Sequence, residues 1–219
     1  MFKSVRIIGH GRVGSALAAR LQRTGMAVDG PPPDLVLLCV PDRAIAEVAA
    51  GVSVGPWIAH VSGAAHLSAL DPHQRRFTLH PLQTFNQSGA ASQLDGAWAA
   101  LSAESDEALI RAHWLASALD LHAFEMADDA RVLYHAGAAI ASNYLVTLYR
   151  AASALFECAG APPEALLPLM RRTIDNGFEL TGPIARGDWS TVDAHLAAIR
   201  VSMPRLAAMY EALAEATAP

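Results

Sequence analysis

Three small groups of residues carry most of the chemistry this sequence can offer. The first is Gly9-His10-Gly11-Arg12-Val13-Gly14, with an apolar run before it and an amphipathic run after it. That context places the glycines at a strand-to-helix turn. Gly9 then permits the tight turn, Gly11 lets an anion approach the main chain, and Gly14 lets the helix pack closely on the strand. The free N–H groups and dipole of the helix start attract phosphate oxygens. The pattern predicts that residues 9–14 grip the pyrophosphate of a dinucleotide, NAD or NADP. A glycine turn kept only for packing is the plainer alternative.

The second group ends three later apolar runs: Val40-Pro41-Asp42, Ser62-Gly63 and His80-Pro81. Ligands of open α/β sheets bind beyond the carboxyl ends of the strands, so these residues should converge. Hydride transfer to or from an alcohol or amine needs a proton donor or acceptor near the reacting carbon. Histidine suits that role because its ordinary pKa lies near neutrality, and His80 is the candidate. Its alternative is a strand-end histidine bonded to local main chain. Val40, Pro41 and Ser62 are expected beside the cofactor. Ser62 and Gly63 are also expected to orient substrate, against an ordinary turn.

The third group lies on a long apolar stretch, where His135, Ala138, Ala139 and Ser142 share one face at helical spacing, with Asn143 beside them. His135 and Asn143 must each meet a hydrogen bond or a ligand if buried, which makes them further catalytic candidates. Helix packing with satisfied polar groups explains them equally. Tyr134 reads as core or rim. Arg186, within Arg186-Gly187-Asp188, has the fork to clamp a substrate carboxylate, against a local ion pair and helix capping. Asn176 is a weaker candidate. No HExxH or His-x-His spacing occurs, so no metal site is expected. Cys39, in an apolar run, reads as an inert core thiol.

Short apolar runs at 5–8, 35–40, 57–61, 77–80, 97–101 and 121–124 alternate with amphipathic ones at 13–23, 43–50 and 106–119. This is the signature of an α/β sheet. Beyond Glu125 the pattern turns wholly helical. Asp128 can cap a helix running to Ala159, about 45 Å long, before Gly160 and Pro162-Pro163 stop it. Further helices are predicted at 164–180, 191–202 and 205–216, with Ser190 and Asp193 as a capping box for the second of these. The chain thus divides into a dinucleotide-binding domain, 1–125, and an all-α dimerisation or substrate domain, 126–219.

One element is missing. Residues 26–30 read as a second strand, yet only Pro31-Pro32-Pro33-Asp34 separates them from Leu35. A parallel crossover takes about a dozen residues, whereas three prolines span only about 9 Å and donate no hydrogen bond. The second crossover helix must be absent. Asp29 stands near the position of a ribose-binding acid, but with its shelf trimmed it reads equally as a solvated carboxylate. The adenosine end of the site is therefore in doubt, and NAD cannot be told from NADP.

Composition bounds the partners. The 219 residues carry a net charge of −5 with Lys3 as the lone lysine, which argues against nucleic acid. No apolar run approaches the length of a membrane span, and the N-terminus enters a strand-like run with no signal-peptide layout. Cys39 and Cys158 are far apart, which fits a reducing cytoplasm. At 53% hydrophobic and 17% charged, the surface is short of charge, which points to cover by a partner subunit.

Three stretches are more specific than the glycine motif: HPLQTF (80–85), YHAGAAIASNYLVTL (134–148) and LTGPIARGDWSTVDAHLAAI (180–199). With VPDRAIAEVA (40–49) and HVSGAAHLSAL (60–70), they resemble the Rossmann-like proteins that carry a C-terminal domain of unknown function 2520. That family looks related to pyrroline-5-carboxylate reductase, prephenate dehydrogenase and 6-phosphogluconate dehydrogenase. The resemblance implies an α/β, mostly parallel Rossmann-like sheet followed by an all-α domain. It also implies an NAD(P)-dependent oxidoreductase, a homodimer through the C-terminal helices, with no assigned substrate. A His-Pro like His80-Pro81 follows a strand in the prephenate dehydrogenase-like relatives. The chain departs from them at 31–33. Two other readings stay open: a decayed ligand-binding or regulatory protein, and a dimeric structural partner.

Overall fold

The computed structural model describes residues 1–30, 32–88 and 90–218; Pro31 of the proline run lies outside them. Contacts divide the chain into two compact units, Met1–Ile140 and Ala141–Pro219. The first is built on seven strands: β1 (Ser4–Ile8), β2 (Ala27–Val28), β3 (Leu35–Leu38), β4 (Trp57–His60), β5 (Arg76–Leu82), β6 (Trp98–Ala103) and β7 (His122–Glu125). They lie in the order β2-β1-β3-β4-β5-β6-β7, with every neighbouring pair parallel except β5 and β6. The helices between them are α1 (Arg12–Arg23), α2 (Ile45–Ala50) and α3 (Asp106–Ala118). This is a Rossmann-like α/β unit, and the chain continues into helices.

The strand sequences explain the layering. Every residue of β3 is buried, as in a strand covered on both faces. One face of the sheet presents Leu35, Leu37, Phe77, Leu79 and Leu101 to Leu17 and Leu21 of α1 and to α3. The opposite face presents Val36, Leu38 and Ile58 to Ile45 and Ala49 of α2. α3 starts where Ser105 accepts from the Ala108 N–H at 3.2 Å, with Asp106 and Glu107 in its first turn.

Among the described residues no crossover helix lies between β2 and β3, as expected, and the register shows how the chain manages without it. β2 pairs only with Ser4 and Val5, and β3 begins opposite Val5 on the other side. Both strands meet β1 at the same height, so the link has no strand length to climb back. It is held low on β1: Ser4 Oγ donates to the Pro32 carbonyl at 2.7 Å, and the Asp34 carboxylate accepts the Lys3 and Ser4 N–H groups at 2.6 and 3.1 Å. β2 is shorter than the expected 26–30 because Asp29 turns left-handed, at φ 60°. Its carboxylate then accepts the Ile7 N–H at 2.8 Å, the donor a longer strand would have paired. Asp29 is not simply a solvated acid.

The helix expected from Asp128 to Ala159 has three parts: α4 (Arg131–Ala139), a π-helical turn at Ile140–Tyr144, and α5 (Leu145–Cys158). Asp128 does not cap it. A short 3-10 turn at Asp128–Ala130 comes first, and the Asp128 carboxylate accepts the Leu67 N–H at 3.0 Å. In the second unit α6 (Leu166–Asp175) ends earlier than expected, since Gly177 and Phe178 are left-handed at φ 69° and 62°. α7 (Trp189–Ser202) begins at Asp188, whose side chain accepts the Thr191 N–H at 3.2 Å; Ser190 and Asp193 do not form the expected capping box. α8 (Ala207–Thr217) follows. The apolar core of this unit is small, with Leu166, Val192, Leu196, Ile199 and Ala214 buried.

Candidate functional site

The glycine turn follows β1 and opens α1, and its three glycines do three different things. Gly9 sits at φ 101°, and a Cβ there would lie 2.5 Å from the Cys39 carbonyl oxygen. A Cβ at Gly14 would lie 1.9 Å from the Gly9 carbonyl oxygen, so the helix can start this close to the turn only on glycine. At Gly11 a Cβ would meet nothing within 4 Å. The open space is thus at the one position where an anion would approach the main chain. Gly11 is the N-cap of α1 with no side-chain cap, and the first turn holds no acidic residue. The first N–H groups of α1 have no intrahelical acceptor and no side chain competing for them. Arg12 is exposed beside them and reaches the Phe85 carbonyl at 3.4 Å, while His10 Nε2 stands 3.5 Å from Asp29 Oδ2. Val40 packs against the same turn, its Cγ1 3.1 Å from where a Gly9 Cβ would be. Pro41 precedes a short 3-10 turn, Asp42–Ala44. Space, uncapped donors and a nearby cation together fit a pyrophosphate.

Along the same sheet edge, β4 and β5 carry a cluster of rings. His80 Nδ1 lies 2.8 Å from the Tyr134 hydroxyl, and its ring stands nearly perpendicular to those of Tyr134 and His135. A Cβ at Gly63 would come within 2.6 Å of the His135 ring and 2.9 Å of His80 Nε2. Gly63 is therefore the residue that lets both imidazoles close over the turn after β4. Ser62 Oγ accepts the Ala64 and Ala65 N–H groups at 3.1 and 2.9 Å, so its hydroxyl holds the turn. His60 is fully buried below, and its Nδ1 accepts the Ser62 N–H at 3.2 Å, which requires a neutral ring.

The electrostatics revise the expectation for His80. Burial first, then the Arg131 cation and the neighbouring His135, push its pKa down to about 4, against the opposing pull of Asp42. Burial and Arg131 bring His60 to about 4 as well. Burial raises Tyr134 to about 12, so its hydroxyl keeps its proton. Those shifts favour the uncharged ring, which can accept a proton at a free ring nitrogen. Cys39 is pushed up to about 12 by burial, as an inert thiol would be.

Arg131 is the residue the sequence reading missed. It is the first residue of α4 and fully buried. Its NH1 donates to Thr78 Oγ1 at 2.7 Å and Ser102 Oγ at 3.1 Å, and NH2 donates to the Ser62 carbonyl. A signal for it was present in the strands: Thr78 and His80 alternate on β5, and the register sets Thr78 beside His60 and Ser102. That polar stripe on an otherwise apolar face calls for a buried donor.

The other expected residues belong to the second unit. Asn143 lies in the π-helical turn, which breaks the 3.6-residue repeat that grouped Ser142 and Asn143 with His135. Its Oδ1 accepts from Ser142 Oγ at 3.3 Å. Arg186 is exposed at the end of a 3-10 turn, and Asn176 is the C-cap of α6. Asp188 is held below the usual carboxylate range by the Thr191 and Ser190 hydroxyls, and less strongly by Arg186. Among the described residues no group of three His, Cys, Asp or Glu is arranged to hold a metal ion. No helix among them is long and apolar enough to cross a membrane.

A family model described as a domain of unknown function (DUF2520) matches residues 97–217. No curated protein matches the sequence. Among solved structures, a candidate NADP oxidoreductase of Bacteroides fragilis aligns with a TM-score of 0.81 at 22% identity, covering 98% of this chain and 97% of its own. A protein of Thermotoga maritima aligns with a TM-score of 0.78 at 22% identity over 96% of this chain and 95% of its own. The 1-pyrroline-5-carboxylate reductase of Streptococcus pyogenes gives 0.62 at 16% identity over 98% and 96%. At such identities the likeness is one of fold.

Proposed function

The chain belongs to the family defined by the domain of unknown function 2520, and from that premise we propose that it is an NAD(P)-dependent oxidoreductase acting on a small, carboxylate-bearing substrate. The observation that carries this reading is the contrast among the three glycines, with space left open only at Gly11 above uncapped helix donors. Residues 9–14 would hold the pyrophosphate, with Val40 and Pro41 flanking it. The adenosine end has less to hold it. Asp29 is engaged by the Ile7 N–H, and no Lys or Arg occurs between Asp29 and Arg43.

A bound nicotinamide supplies or accepts the hydride, and the chain's own residues manage the proton. In the tautomer that donates Nδ1–H to the Tyr134 oxygen, His80 Nε2 is free to take a proton from substrate beside Gly63. Arg131 has only neutral hydrogen-bond partners, with the Asp128 and Asp42 carboxylates acting on its charge from farther away, and its cation adds a positive field near that edge. A second copy of the chain is proposed to cover the second unit, where Val146 is 47% and Leu169 is 60% exposed.

Titration of the purified protein with NADH and NADPH, followed by nicotinamide fluorescence and thermal shift, tests the reading. Saturable binding that Gly11→Asp weakens at least ~10-fold is expected, because a carboxylate would fill the open space and repel the phosphates. No saturable binding of either nucleotide up to millimolar concentration would remove the proposal. Light scattering at micromolar concentration should give the mass of a dimer.

A further inference from the structure

Arg131 makes no ion pair among the described residues, although its side chain is fully enclosed. Its acceptors are two hydroxyls and a carbonyl, and its Nε has no partner among the described residues. Burying a charge on such terms is a large cost, and an apolar side chain of similar size would pack there without it. Stability alone does not account for an arginine here.

Its three anchors come from three separate segments: Thr78 on β5, Ser102 on β6, and the Ser62 carbonyl in the turn after β4. One planar group therefore fixes the first turn of α4 against the sheet and against the Gly63 turn together. Tyr134 and His135 follow three and four residues later, on the same side of the helix. They reach His80 and the Gly63 turn.

We propose that Arg131 is the positioning residue of this site, setting Tyr134 and His135 against His80 so that His80 Nδ1 meets the Tyr134 hydroxyl and Nε2 stays facing the Gly63 turn. The proposal rests on the oxidoreductase reading for its purpose, though not for its test. The charged and titratable groups around His80 are Arg131, Tyr134 and His135 from α4, His60 from β4, and Asp42 from the turn after β3. Arg131 opposes protonation of His80, as do His135 and His60 whenever they carry a proton, and Asp42 favours it.

The test is a histidine titration by NMR without any nucleotide, with His80→Asn used to assign the resonance. Wild-type His80 should titrate well below the ordinary histidine range. In Arg131→Met it should bind protons at least ~10-fold more tightly, and Arg131→Lys should return it toward wild type. Wild-type His80 titrating in the ordinary range overturns the proposal, and so does an unmoved His80 in folded Arg131→Met. Where Arg131→Met does not fold, Thr78→Val decides, because it removes one anchor and leaves the cation. Weakened ring-to-ring NOEs between Tyr134 and His80 would support the positioning role, and unchanged ones would overturn it. A failed NADH titration would sink the oxidoreductase reading and leave the histidine result standing.

Discussion

In the first unit Leu37, Phe77 and Leu101 are wholly enclosed by a sheet with helices on both faces, whereas in the second α5 runs for 14 residues without burying one of them. The two units have similarly apolar sequences, so the contrast is one of geometry. A sheet flanked by helices closes over its own core. The helices of the second unit bury one seam and leave Val146, Leu169 and Phe178 exposed. Apolar surface of that kind is a cost in water unless something covers it. The first unit holds its polar cluster by its own packing, while the second is suited to association.

The sharpest way to break this contrast is to truncate an apolar residue in each unit. Phe77→Ala should destabilise the first unit by about 3–5 kcal/mol, measured by denaturant unfolding. Leu169→Ala should change the unfolding of the protomer by less than about 0.5 kcal/mol and instead weaken the proposed dimer, read as a lower mass in light scattering. Equal effects on unfolding would mean that Leu169 is held as tightly in the protomer as Phe77 is.

Acid should act on the first unit next most strongly. His60 and His80 are depressed in the folded state, to about 4 from an ordinary 6.5, so the unfolded chain binds more protons between those values. Stability is full above about pH 6.5 and is lost as pH falls toward 4, by on the order of 3 kcal/mol for buried His60. The Tm of a His60→Gln variant, if folded, should fall less over that window than that of wild type. The smallest effect belongs to the second unit: Asp188→Ala removes the α7 cap and should lower its melting midpoint by no more than a few degrees, about as expected for an exposed cap.

What was legible in the sequence was whatever depends on neighbours along the chain. The strand runs, the glycine spacing and the missing crossover all follow from local pattern, and each was found. The π-helical turn was not, because Ile140–Tyr144 has the same apolar, small-residue character as the α-helix on either side. Arg131 was missed for a different reason. Its partners lie 53, 29 and 69 residues away, and only the register of β5 with β4 and β6 makes them one site. The state of His80 was hidden for the same reason, since burial and a cation from a distant segment set it.

The short β2 has one more effect. Above Val5 the outer side of β1 has no strand beside it among the described residues, and an open row of main-chain donors and acceptors invites pairing with another chain. Asp29 occupies that row with its carboxylate on the Ile7 N–H. An incoming strand would have to displace a negative charge from the donor it needs. One acid thus guards the flank of the sheet against unwanted aggregation, in the place where a longer chain would have laid down more strand.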